Sequence, residues 1–216
     1  MKRITLRRWW VLLVLLVMAA LVPALSPLGP YRPVEPLPGG IVDMHCHVAG
    51  IGAGNSGCFV SSALRHSWKF RIYLRAFGVS LKEIEEKGDD VIVDRTSEVL
   101  AGSRLVEKAV VLALDGVVDG DGRLDESRTQ VYVPNEFVAR GASRHGNLLF
   151  GASVNPYRKD ALERLDWAKA HGAVLVKWIP AIMAIDPADP RLIPFYRKLV
   201  ELDLPLLTHA GKERSF

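Results

Sequence analysis

Apolar runs at about residues 109–115, 148–154, 173–178 and 205–209 alternate with stretches of helical periodicity at about 134–145, 159–171 and 190–203. That alternation constrains the fold more than any other feature. Short runs that are apolar almost without interruption belong to strands covered on both faces, as in a parallel sheet. Strands that alternate with helices give an α/β fold with right-handed crossovers. A further strand is expected at about 41–47, after the Gly39-Gly40 turn, with a long, mostly helical stretch following it to about 107. With 216 residues, 49% of them hydrophobic, the chain can bury one sizeable core.

Each predicted strand finishes on or next to a polar residue: His47, Asp115, Asn155, Lys177 and His209. In a (β/α)8 barrel, functional groups sit at the C-terminal ends of successive strands and converge over the mouth. A Rossmann sheet concentrates its chemistry in a glycine-rich turn after the first strand. Gly50-Ile51-Gly52-Ala53-Gly54 comes near that pattern but lacks the last glycine at its spacing, and it follows two histidines rather than opening a helix. The barrel is therefore the expected architecture.

The first strand carries Asp43-Met44-His45-Cys46-His47. Side chains two apart on a strand share a face, so His45 and His47 point together with Asp43 behind them. Two imidazoles on one rigid face suit a transition metal. His209, closing Pro205-Leu206-Leu207-Thr208, adds a third at an equivalent strand end. Lys177 closes an otherwise apolar strand and must find an acid, chemistry or water. Three roles stand open for it: pairing with Asp115 or a substrate carboxylate, forming a carbamate that bridges two metals, or solvation at the mouth. Asp119-Gly120-Asp121-Gly122 fails the spacing of a calcium loop, because Arg128 falls where a bidentate acid is needed. It reads as a solvated turn. Residues 65–75 read as the wet face of a helix, with contact to anionic lipid as the alternative. His66, His145 and His171 read as surface residues, and Cys46 and Cys58 as isolated thiols rather than a disulfide.

The formal charge of +4 does not indicate nucleic acid. Lys2, Arg3, Arg7 and Arg8 account for it, and the remaining 24 Lys and Arg are matched by 24 Asp and Glu. Those four charges precede residues 9–25, an uncharged apolar run at the lower limit for a membrane span. The expectation for residues 1–25 is a signal-anchor or a signal peptide cleaved after Ala24, with the rest carried out of the cytoplasm. Residues 26–40, rich in proline and glycine, would tether residues 41–216 to the membrane.

Taken together, Asp43-Met44-His45-Cys46-His47, Lys177-Trp178-Ile179-Pro180 and Leu207-Thr208-His209-Ala210-Gly211 resemble the amidohydrolase superfamily, nearest its amidohydrolase-related group. Val133-Pro134-Asn135-Glu136-Phe137 and Ser153-Val154-Asn155-Pro156 also resemble segments of that group. The resemblance covers about 41–216 and implies a metal-dependent TIM-barrel hydrolase acting on a small molecule. His45, His47 and His209 would be ligands of a divalent metal, Zn²⁺ first. Lys177 would stand where some members carry a carboxylated lysine; Asp115, from its place at a strand end, is the other candidate catalytic residue. The family barrel has eight strands, with a further histidine on strand six and an acid on strand eight. The sequence offers neither, so the expectation is a barrel truncated after about strand five. The alternatives are a decarboxylase on the same scaffold or a non-catalytic remnant.

Overall fold

The computed structural model describes residues 40–211. Seven strands run in chain order: β1 (Ile41–His47), β2 (Phe59–Val60), β3 (Val106–Leu112), β4 (Val131–Tyr132), β5 (Leu148–Ala152), β6 (Leu175–Trp178) and β7 (Leu206–Thr208). β1, β3, β5, β6 and β7 form one parallel sheet in that spatial order. Strand order follows chain order without reversal, whereas a doubly wound sheet reverses at its switch point.

The sheet also curls. In a flat sheet β1 and β7 would stand four strand spacings apart, about 19 Å, a distance at which solvent and salt largely screen one charge from another. Yet the charge of His209, just past β7, acts on His45 of β1. The shape is a curled parallel half-barrel.

Two side-chain sets result from strand alternation. Ala109, Val111, Phe150, Val176 and Trp178 join the main core, which includes Phe137, Leu165, Phe195 and Leu199 from the helices. Trp178 is fully buried, packs against Phe195 with ring centroids 5.2 Å apart and planes tilted by 37°, and donates its indole N–H to the Val154 carbonyl at 2.7 Å. Val110, Leu112 and Leu175 form a second, smaller cluster with Leu149, Val174 and Leu207 around it.

Capping chemistry starts some of the helices. The helix Leu81–Lys87 opens on a capping box, with the Ser80 hydroxyl accepting from the Glu83 N–H at 3.1 Å. It ends at Gly88, whose φ of +88° suits glycine. Proline enters the first turn of Ile193–Glu201, where the missing N–H costs nothing.

The strand limits differ modestly from the pattern reading. The run read as 109–115 is a strand over Val106–Leu112, because the chain then leaves the ladder and Leu114 bridges Val133 in antiparallel fashion. The stretch from 47 to 107, read as mostly helical, also holds β2. It pairs antiparallel with β4, and Phe59 stacks on Tyr132 at 5.5 Å. The apolar run at 9–25 and the tether lie outside the described residues. Among the described residues no helix is long and apolar enough to cross a membrane.

Candidate metal centre at the mouth of the sheet

β1 does not run evenly along β3. Asp43 pairs with Ala109 and Cys46 with Val111, so a bulge lies between Asp43 and Cys46. Bulges re-aim side chains and are common beside functional sites. Here the His45 backbone N–H donates to the Asp43 carboxylate at 2.9 Å. The two Nε2 atoms of His45 and His47 face each other at 3.0 Å, with ring planes inclined by 63°. Two nitrogens bound to one tetrahedral Zn²⁺ at its usual bond length stand about 3.3 Å apart. The pair therefore fits two adjacent ligand positions with a shift of a few tenths of an ångström.

Charge around the pair favours the ligating form. Partial burial depresses the His45 pKa from its ordinary value, and the positive charge of Lys177 depresses it further. The Asp43 carboxylate opposes this, and His209 adds a smaller push downward. The net effect is a lowered His45 pKa, a shift toward the neutral imidazole that binds metals. Lys177 is buried, on the same side of β6 as Leu175 by alternation. His209 is half-buried, and its N–H donates to the Trp178 carbonyl at 3.0 Å, extending the β6–β7 ladder by one residue. The structure thus brings His45, His47, Lys177 and His209 into one electrostatic neighbourhood. Among the described residues, however, no three His, Cys, Asp or Glu side chains converge as a ready metal cluster.

Asp115 sits in a buried clasp. Its carboxylate accepts from Arg158 Nε at 2.6 Å and from Arg158 Nη2, and also from the N–H groups of Asn155 and Gly116, each at 2.8 Å. Both side chains of the ion pair are buried. Arg158, a residue that the pattern of strand ends does not mark, is a buried ion-pair partner of Asp115. Asn155 continues the clasp by donating to the carbonyls of Gly116 and Met183, both at 2.8 Å. Ser153 donates its hydroxyl to the Lys177 carbonyl at 2.9 Å and accepts from the Asp115 N–H at 3.1 Å. Asn135 holds both the N–H and the carbonyl of Ser153. These buried polar groups tie the ends of β3, β5 and β6 together beneath the mouth. The available sequence signal was polar residues at the ends of apolar runs, which marked Asn155 and missed Arg158.

The glycine-rich loop after β1 wraps around a carboxylate of its own. Asp89 is fully buried and accepts from the N–H groups of Ile51 and Gly52, each at 2.9 Å, and from the Ser56 hydroxyl. Those N–H groups, which in a dinucleotide fold would cradle phosphate, are already occupied by Asp89. A Cβ at Gly50 would collide with the same carboxylate, which explains that glycine. Asp119, in the turn compared with a calcium loop, accepts from the N–H groups of Asp121 and Arg123. Both cysteines are free thiols. Burial, with the Asp43 charge adding to it, pushes Cys46 up to about 11. Burial pushes Cys58 up to about 12. Neither is a thiolate near neutral pH. In comparison with known proteins, the chain matches no family model and no curated protein.

Proposed function

We propose that residues 41–216 belong to an amidohydrolase-type (β/α)8 barrel and serve a metal-dependent hydrolase that acts on a small carbonyl compound. His45, His47 and His209 would hold the metal, with Zn²⁺ the first candidate. The facing His45–His47 pair at 3.0 Å carries this reading. Its support comes from the lowered pKa of His45 and from the charges of Lys177 and His209 that contribute to it. When bound, such an ion supplies Lewis acidity, acidifying a water and polarising a carbonyl. Asp43 fixes the His45 backbone, and the buried Lys177 would orient an anionic or carbonyl oxygen of the substrate or, once carboxylated by CO2 to a carbamate, would supply oxygen ligands to a second ion. Asp115, saturated by donors, acts as a positioning group that sets Arg158, Ser153 and the Lys177 backbone. The outer sides of β1 and β7 have no sheet partner among the described residues, which leaves room for the strands that would close a barrel.

Elemental analysis of the purified full chain tests the ligand set. The expected result is about one equivalent of divalent metal, most of it lost in His45→Ala and in His209→Ala. Unchanged metal content in both variants would overturn the assignment.

We also propose that residues 1–25 anchor or export the protein, so that the half-barrel lies outside the cytoplasm. A reporter fused after Gly40 is expected to be active only on the far side of the membrane. Reporter activity in the cytoplasm would reject this.

A further inference from the structure

A cavity of about 210 Å³ opens beside His47. Its floor is made by residues just past the parallel strands, among them Leu114 and Ile179, and its wall by Val60 of β2. Phe70, Tyr73 and Leu74, from the helix Trp68–Ala76, also line it. Among the described lining side chains only His47 and Tyr73 carry polar atoms. An apolar space of this kind binds apolar groups, and a protein cavity of about 150 Å³ is enough to bind benzene. The present one is larger by a few carbon atoms.

We propose that this cavity is the specificity pocket of the site, receiving one compact apolar group of the substrate, a single substituted aromatic ring or a branched alkyl group of similar bulk. The group attached to it would present its carbonyl at His47. The substrate class is then an aryl- or compact alkyl-substituted ester or amide. Naming the substrate rests on the hydrolase reading; the binding of an apolar group does not. The segment between β1 and β3, which supplies Val60 and the helix Trp68–Ala76, therefore sets specificity through packing. Fused or multi-ring groups exceed the space, and small acyl groups such as acetyl leave it unfilled.

The test uses the purified full chain in lipid nanodiscs, since detergent tails would compete for an apolar cavity. Titration with 4-fluorotoluene is followed by ¹⁹F NMR with and without a metal chelator. Saturable one-to-one binding is expected, unchanged by the chelator and by His45→Ala, and weakened at least tenfold by Val60→Trp, which fills the space. Should Val60→Trp lose its cooperative melt, the milder filling substitution Ala49→Leu replaces it, with weakening of several-fold expected. Binding that does not saturate, or that persists undiminished in a folded filling variant, would overturn the proposal. Cavity binding in a protein without metal would leave the pocket standing and remove the hydrolase reading instead. With activity present, the filling variant should raise KM for methyl benzoate at least tenfold while leaving methyl acetate unaffected. An equal change for both esters would overturn the specificity role.

Discussion

Arg158→Met is expected to destabilise the protein by about 3–5 kcal/mol, the cost of breaking a buried ion pair by removing one partner. Methionine keeps much of the volume and supplies no donor. Asp115 would then remain buried, with backbone N–H groups from Gly116 and Asn155 but without the guanidinium that now holds both its oxygens. An uncompensated carboxylate in that position is strongly penalised. The paired variant Asp115→Asn with Arg158→Met should recover a substantial share of the loss, because it removes the orphaned charge as well. Urea unfolding of the full chain, arranged as a double-mutant cycle, measures the coupling. A change in Arg158→Met of less than about 1 kcal/mol, typical of an exposed pair, would show that the clasp does not hold the mouth together.

Asp89→Ala carries the second large effect, about 3 kcal/mol, with a local signature as well as a global one. The substitution deprives the N–H groups of Ile51 and Gly52 and the Ser56 hydroxyl of their acceptor at once. A buried donor left without a partner costs about 1–3 kcal/mol, offset where the opened loop admits water. Amide hydrogen exchange across residues 48–58 should accelerate well beyond the global change in stability, since the loop would open before the sheet. Ile51 lines the cavity, so 4-fluorotoluene binding should weaken in the same variant. Asp89→Asn, which retains one acceptor oxygen, should fall between the two. Unchanged exchange in this segment would remove Asp89 from its role as the loop's anchor.

These two residues also show where reading the sequence fell short. The strands were legible because apolar runs of this length report burial on both faces directly, and His45 with His47 because a period of two is a local property. Even there the bulge between Asp43 and Cys46 was invisible, since it is set by how β1 meets β3 and not by β1 itself. β2 and β4 hold two residues each, too few to display any period, and lie far apart in the chain. Asp89 and Arg158 are harder cases. Acids near a helix start and cations just after a strand are ordinary surface residues in most sequences. What makes them buried is a partner 37 or 43 residues away, and nothing in the intervening chain records that pairing. Asp115 was found by its place at the end of a strand, but Arg158, its buried ion-pair partner, was not, because a cation several residues past a strand carries no local mark of burial.

A sheet whose spatial order repeats its chain order can be assembled from one end to the other. β3 docks on β1, β5 on β3, β6 on β5 and β7 on β6, each onto an edge that already exists. No later strand has to separate a pair that has already joined, or to find the far side of the first strand as the fourth strand of a doubly wound sheet must. For a chain delivered N-terminus first, whether from a ribosome or through a translocation channel, the order of emergence and the order of docking are the same. The core can then close behind the advancing chain, and each newly exposed edge waits only for the next strand to arrive.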